Sequence, residues 1–333
     1  MTSPRYDLLG VGNAIVDVIA KTDDKFLVTH GMAKGSMTLI DEPRAKAIYD
    51  AMGATTESSG GSAANTIVGA ASLGARTAFV GKVKNDKLGG AFTHDIRANG
   101  VAFDVKPAAD GPSTASCYIL VTPDGERTMN TYLGAAQNLF PADIDEKAVA
   151  DAAITYLEGY LWDPPHAKEA FVKAAGIAHK AGRKVALTLS DAFCVDRYRD
   201  EFLKLMRNKT IDIIFANENE LRSLYQTADF DTALEAMRAD IGLAVVTRSE
   251  KGCVVLQGEI TERVPAAPIR QVVDATGAGD LFAAGFLVGY SRGRDLKTSA
   301  QLGALAAAEV IQHVGARPLT PLKALAEAQG FKL

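Results

Sequence analysis

The sequence predicts an α/β protein: a mainly parallel central sheet flanked by helices, with a small additional β layer. Three observations carry that expectation. Short β-rich runs alternate with helical patterns over most of the 333 residues, the order expected of parallel strands joined by crossover helices. Several of these runs are continuously apolar, as strands buried on both faces must be. Two stretches, about 14–40 and 113–133, instead alternate apolar and polar residues, the pattern of half-buried antiparallel strands.

Strands of the main sheet are expected at 7–11, 77–80, 154–157, 184–189, 211–215, 243–247 and 252–256, with helices at 63–73, 166–181, 232–239 and 281–290. In the second alternating stretch, runs at 113–122 and 126–133 flank Pro123-Asp124-Gly125, a strong hairpin turn signal. The two alternating stretches do not fit a parallel sheet. They are expected together as a small β lid, inserted in a single domain of residues 1–333 and projecting from the carboxyl ends of the strands. No low-complexity linker or internal repeat divides the chain.

Composition narrows the function classes. At 47% hydrophobic and 23% charged residues, the chain is an ordinary globular enzyme by content, long enough to bury a core without staples. Its 36 Lys and Arg against 40 Asp and Glu give a net charge of -4, which argues against a nucleic-acid footprint. Cys117, Cys194 and Cys253 lie far apart with no C-x-x-C. That excludes a disulfide scaffold and a cysteine zinc site, and suits a cytoplasmic location. Asn13 and Asp17 interrupt the first apolar run, so no secretory signal is expected. No stretch of membrane-spanning length is apolar.

The strongest chemical signal is Val272-Val273-Asp274-Ala275-Thr276-Gly277-Ala278-Gly279-Asp280-Leu281-Phe282. Two β-branched residues read as a strand end, the glycines as a turn, and the following run as a helix. Gly277 and Gly279 let the backbone turn sharply and approach a ligand, so that amides at the helix start face an anion. An isolated Asp280 would be a helix cap. A carboxylate beside a phosphate site is electrostatically costly, however, and with Asp274 and two glycines around it the expected role is to take a proton from an attacking hydroxyl.

Residues 9–17 resemble a dinucleotide fingerprint, but Ile15 stands at its third glycine and the geometry fails. What is left presents Asn13 and Asp17, an amide and a carboxylate suited to the vicinal hydroxyls of a sugar, or else an ordinary turn. Gly60-Gly61-Ser62-Ala63-Ala64-Asn65-Thr66 opens a helix. A nucleophile elbow would need a strand immediately before it, and 53–59 does not read as one, so these residues point to a polar small molecule. Gly81-Lys82 is followed by Val83, with Arg76 where a Walker A glycine would stand, so no such loop exists.

Asn217-Glu218-Asn219-Glu220 starts a helix after the expected strand 211–215. The helix dipole alone would explain its acids; the functional alternative is outer-shell organisation of a hydrated Mg²⁺. The loop from Thr247 to Gly252 serves a nucleotide phosphate or turns a hairpin. The five histidines show no metal spacing and receive no role.

In this order the segments resemble the ribokinase-like (PfkB-type) family of sugar and nucleoside kinases along nearly the whole chain, and the match from Asp274 to Asp280 is highly specific. The resemblance implies a ribokinase-like three-layer fold and ATP-dependent phosphoryl transfer. It makes Asp280 the base and Gly277, Ala278 and Gly279 an anion hole. Asn217, Thr247, Gly252, Thr276, Gly277 and Gly279 would contact the nucleotide, with Asn217 and Glu220 organising Mg²⁺ through water. A monovalent cation, K⁺, is implied near the 274–279 loop.

Within the family, the chain is most similar to the adenosine-phosphorylating branch. Asn13, Asp17, Gly61, Ser62 and Asn65 look like its ribose contacts, and Arg127 like the arginine that approaches the transferred phosphate. Period two places Arg127 on one face with Met129 and Thr131, an odd setting for a solvated arginine. Phe193, in Leu189-Ser190-Asp191-Ala192-Phe193, matches the ring that covers the nucleobase. Ala63-Ala64 and Asp191-Ala192 depart from the eukaryotic pattern. The implied reaction carries the γ-phosphoryl group of ATP to the 5′-hydroxyl of adenosine, giving AMP and ADP. The alternative is another sugar or nucleoside kinase of the family, for ribose, fructose, inosine or guanosine. Small molecules are the expected partners, with no nucleic acid or membrane; a monomer and a homodimer are both compatible with the sequence.

Overall fold

Among residues 3–333, which the computed structural model describes, fourteen strands form two sheets. In chain order they are β1 (Tyr6–Val11), β2 (Ile15–Lys21), β3 (Met37–Leu39), β4 (Thr56–Gly60), β5 (Thr77–Val80), β6 (Val101–Ala102) and β7 (Ala115–Val121). They continue as β8 (Arg127–Tyr132), β9 (Ala152–Glu158), β10 (Lys184–Thr188), β11 (Ile213–Asn217), β12 (Leu243–Thr247), β13 (Cys253–Gln257) and β14 (Ile260–Val264).

The larger sheet has the order β14-β13-β12-β11-β10-β9-β1-β5-β6. From β6 to β12 every pairing is parallel, while β13 and β14 are added antiparallel. The five residues between β12 and β13 are too few for a parallel crossover, so the chain can only reverse there. Strand residues alternate between two cores. Leu8, Tyr156, Phe215 and Val245 meet one; Leu9, Leu157, Ile214 and Val246 meet the other. Both faces being covered, the strands read as unbroken apolar runs.

The first face is covered by the helices Ser62–Ser72, Ala278–Ser291 and Leu296–Val310, the second by Pro165–Lys180, Ala192–Arg207 and Phe230–Asp240. In Ala278–Ser291 every residue from Leu281 to Gly289 is buried, as befits a helix apolar all round. It packs on Leu296–Val310 almost backbone to backbone. A Cβ on Gly285 would lie 2.4 Å from the carbonyl oxygen of Leu302.

The smaller sheet has the order β3-β8-β7-β2-β4. The hairpin of β7 and β8 is antiparallel as expected, but β2 runs parallel to β7 and β3 parallel to β8. The expectation of antiparallel strands through 14–40 is corrected further by a helix, Asp24–Thr29, capped where Asp23 accepts from the amide of Phe26 at 2.8 Å. Parallel pairing is possible because β2 and β7, and β3 and β8, are joined by long excursions that include β5 of the larger sheet.

Two further expectations are corrected. Residues 53–59 were read as non-strand, yet Thr56–Gly60 is β4, antiparallel to β2. Its Thr-Glu-Ser-Ser-Gly sequence has no apolar alternation, because it is an edge strand whose partners are polar: Ser59 donates from its amide and its hydroxyl to Asp95. Val272 and Val273 do not end a strand. The chain leaves the sheet after β14, passes Pro265 and Pro268, and crosses exposed to the turn before the helix Ala278–Ser291, tethered where the amide of Val273 donates to the carbonyl of Ile311 at 2.8 Å.

The close helix pair gives a first prediction. Helix propensity alone would favour Gly285→Ala by about 1 kcal/mol. The carbonyl of Leu302 leaves no room for the methyl group, so the variant should lose about 1–3 kcal/mol of stability. Denaturant or thermal melts check the sign, and a gain would refute the close contact.

Candidate active site

Parallel strands send all their carboxyl ends to one side, where open α/β sheets bind ligands. At that end β1 leads into Gly12-Asn13, β9 finishes in Glu158, β10 leads to Ser190-Asp191, β11 finishes in Asn217 and β12 in Thr247. The smaller sheet begins two residues after Asn13, so the sequence itself fastens it to this side.

The loop from Asp274 to Gly277 is fixed by one carboxylate. Asp274 Oδ1 accepts from the amide of Thr276 at 2.9 Å, and Oδ2 accepts from the amide of Gly315 at 2.9 Å and forms an ion pair with Arg127. Arg127 Nη1 also donates to Thr276 Oγ1 at 3.2 Å. Burial alone would raise the pKa of Asp274, but the bonds from Gly315 and Thr276 and the charge of Arg127 outweigh it and hold the carboxyl below its usual value. Gly277 has φ +79°, and a Cβ there would stand 2.8 Å from that of Ala316, so only glycine fits. Ala278–Ser291 begins here with no side chain capping it. The amide of Ala278 turns back to the carbonyl of Ala275 at 3.2 Å, whereas Gly279 is exposed.

Asp280, in the first turn of that helix, accepts from Ser62 Oγ at 2.6 Å and from Asn65 Nδ2 at 3.1 Å. Burial pushes its carboxyl up to about 6, against the pull of Ser62, Asn65 and Arg317. Ser62 and Asn65 lie in the first turn of the helix Ser62–Ser72, with Gly61 at its N-cap. A strand therefore does precede Ser62, contrary to expectation. The hydroxyl nevertheless donates to a carboxylate instead of an imidazole, so the elbow chemistry stays excluded. Asp17, on β2, is likewise raised to about 6 by burial; Arg317 and Arg127 oppose the rise and Asp280 adds to it.

Two residues at this site were missed in the sequence. Glu158, 1% exposed, accepts from Asn13 Nδ2 at 2.6 Å and from the amide of Ala63 at 2.8 Å. Burial raises it to about 7. It sits one residue past the expected strand 154–157, and a carboxylate ending a parallel strand was the available signal. Arg317 donates from Nη2 to the carbonyl and hydroxyl of Ser59; a single arginine in a late loop gave no signal. Five buried polar atoms of this group have no hydrogen-bond partner: Asn13 Oδ1, Asn65 Oδ1, Arg127 Nε, and Nε and Nη1 of Arg317. Buried polar groups are normally satisfied, so such a concentration suits a hydroxyl-rich, partly anionic ligand.

The remaining predicted residues lie along the same edge. Asn217 and Glu220 form a reciprocal cap: Asn217 Oδ1 accepts from the amide of Glu220 at 2.9 Å, while Glu220 accepts from the amide and side chain of Asn217 at 2.9 and 2.6 Å. Burial raises Glu220 to about 7. Thr247 lies beside Asn217 in the sheet register, and Gly252 closes the turn back into β13. Phe193 is 66% exposed, with the Arg197 guanidinium 4.7 Å from its ring centroid. It is no core residue.

Comparisons with known proteins place the chain among kinases of one family and fold. The pfkB family carbohydrate kinase profile matches residues 27–323. A crystal structure of adenosine kinase from Sinorhizobium meliloti is 56% identical, with a TM-score of 0.91 over 98% of this chain and 99% of that one. A probable sugar kinase from Rhizobium etli is 54% identical at the same TM-score and coverage. The adenosine kinase of Saccharomyces cerevisiae is 29% identical over 95% of this chain and 96% of its own length.

Glu158 yields a prediction with a definite sign. A carboxyl raised from 4.5 to about 7 on folding gives stability that is present below its ordinary value and lost as pH rises through about 7. Glu158→Gln removes the ionisation, and rotation of the Asn13 amide presents its unpartnered oxygen to the new NH₂. The melting temperature of the variant relative to the unsubstituted protein should therefore rise between about pH 5 and about pH 8. A difference that stays flat with pH would show that Glu158 is not held protonated.

Proposed function

The chain belongs to the pfkB family of carbohydrate kinases and is a phosphotransferase with an alcohol acceptor, and on that footing we propose that it transfers the γ-phosphoryl group of ATP to the 5′-hydroxyl of adenosine. The observation that carries this reading is Asp280: a carboxylate raised to about 6, in the first turn of an uncapped helix, beside the Arg127-braced loop. Adenosine as the acceptor is supported by the similarity to the Sinorhizobium meliloti enzyme.

On this reading Asp17 and the free oxygens of Asn13 and Asn65 accept from ribose hydroxyls, with Gly61 and Ser62 close by, and Phe193 stacks on the base. Asp280 takes the 5′-hydroxyl proton as that oxygen bonds to the γ-phosphorus. The bond to the bridging oxygen breaks, and its electrons leave with ADP. The backbone of Gly277, Ala278 and Gly279 and the charge of Arg127 face the charge spread over the phosphoryl oxygens. Of the three amides, that of Ala278 already bonds to Ala275, whereas Gly279 is exposed.

Asn217, Thr247, Gly252 and Thr276 lie on the nucleotide side. Among the described residues no cluster of three metal-ligating side chains occurs. Mg²⁺ would therefore rest on phosphates and water, with Asn217 and Glu220 beyond the water. Bound so, it would neutralise phosphate charge. K⁺ is assigned a place beside the 274–279 loop. The smaller sheet acts as the lid of a single domain, excluding water that would compete as acceptor.

Incubation with ATP, Mg²⁺ and a panel of adenosine, inosine, guanosine, ribose and fructose tests the proposal. AMP should form fastest, and failure to convert adenosine refutes it. Asp280→Asn should lower kcat by roughly 10²–10⁴, and retention of a tenth or so of the activity would remove the base assignment. Since Asp280 must be ionised to accept a proton, kcat/KM of the unsubstituted protein should fall on the acid side around pH 6.

Base recognition gives a further prediction. Phe193 is exposed, so Phe193→Ala should leave the melting temperature nearly unchanged. It should raise KM for adenosine by the equivalent of about 1–3 kcal/mol. An unchanged KM would take the nucleobase away from Phe193.

A further inference from the structure

Arg317 belongs to no recognised motif and has no part in the chemistry above. It follows Gly315, whose amide donates to Asp274 Oδ2 at 2.9 Å, and Ala316, which packs on Gly277. Its backbone thus backs the anion loop. Its side chain instead reaches the smaller sheet. Nη2 donates to the carbonyl of Ser59 at 2.8 Å and to its hydroxyl at 2.9 Å. Ser59 passes the contact on, donating to Asp95 Oδ2 from its amide at 2.9 Å and its hydroxyl at 2.5 Å. Nε and Nη1 are buried without partners.

An arginine bonded through one nitrogen is costly to bury unless opposite charge is near. Three carboxylates supply it: Asp95, which accepts from the same Ser59; Asp17, whose carboxylate lies against Gly60, the next residue of β4; and Asp280 from the helix Ala278–Ser291. The compensation is mutual. Asp17 and Asp280 repel each other, and two like charges sharing a site disfavour joint ionisation. Arg317 is the cation that acts on both of them.

We infer that Arg317 is a positioning residue for phosphoryl transfer: its charge lets Asp17 and Asp280 stand together as anions, and its Nη2 bonds tie β4 to the anion loop. The inference rests on the proposed roles of Asp280 as base and Asp17 as acceptor ligand. Arg317 acts through these two side chains; Asp280 also accepts from Ser62 and Asn65 and faces Glu158, and Asp17 lies against Gly60 with Arg127 and Cys117 near it.

Two variants separate charge from tether. Arg317→Gln keeps a donor for Ser59 and loses the charge; Arg317→Lys keeps the charge and loses the planar fork. The Gln variant should lose at least about tenfold in kcat/KM, with kcat lowered through Asp280, acceptor KM raised through Asp17 and KM for ATP unchanged. The Lys variant should recover most of the loss. Gln kinetics within about twofold of the unsubstituted protein, or a Lys variant as impaired as Gln, would overturn the inference.

A melting cycle over Arg317→Gln, Asp17→Asn and the double variant needs no substrate. Asp17→Asn should restore part of the stability lost in Arg317→Gln, and strictly additive shifts would show that the two charges are not coupled. Turnover of adenosine by the unsubstituted protein tests the proposed reaction separately.

Discussion

The ion pair between Arg127 and Asp274 joins the smaller sheet to the glycine turn that opens the helix Ala278–Ser291. The partners stand 147 residues apart in the chain, one on β8 and the other in the loop that precedes the helix Ala278–Ser291. The same carboxylate also holds the amides of Thr276 and Gly315. One side chain therefore sets the shape of the loop, the seat of the smaller sheet and the path of the chain after Val310. Removing one partner of a buried pair leaves an uncompensated charge, which costs more than the pair contributes. Neither residue can be exchanged alone without disturbing all three.

Asp274 and Asp280 lie six positions apart in one motif and are driven in opposite directions. Asp274 is held below its usual pKa by two amides and an arginine, while burial raises Asp280 to about 6. On the proposed reaction the two divide the labour between a fixed anion and a proton acceptor, as groups whose environments separate their pKa values do. The division follows from position. Asp274 precedes the turn, where backbone amides converge on it. Asp280 lies past the turn, in the first turn of the helix, and its side chain accepts from Ser62 and Asn65 instead.

What was legible in the sequence follows the range of the interaction. Periodicity located the main strands to within a few residues, because each strand residue meets one of two cores, and the glycines marked the turn before the helix Ala278–Ser291. Asp280 and Asn65 were readable from their glycine-rich helix starts and Arg127 from motif resemblance, and the structure brings them into one neighbourhood. The polar edge strand β4 was invisible because its partners, β2 and Asp95, are distant in sequence. Val272 and Val273 looked like a strand because β-branched pairs usually are; here they cross between elements in the open. Arg317 could not be read at all, since its meaning depends on Ser59, 258 residues earlier.

Strand order also arranges the groove. From β12 to β1 the carboxyl ends present Thr247, Asn217, the Ser190-to-Phe193 turn, Glu158 and Asn13 in sequence. Neighbouring strands are separated by about 4.8 Å, so the two ends of this series lie about 19 Å apart. On the proposed reaction the phosphoryl donor occupies the β11 and β12 end and the acceptor the β9 and β1 end, with smaller-sheet residues over the latter. The anion loop enters from neither end: it crosses from β14 and is held by Arg127 from the smaller sheet and Gly315 from the last loop. A loop anchored to both layers can meet the phosphoryl group only when those layers are in place together. On the proposed reaction, closure of the smaller sheet as a lid also assembles the anion site, and Arg127, which belongs to that sheet and bonds to the loop, is the side chain that couples them.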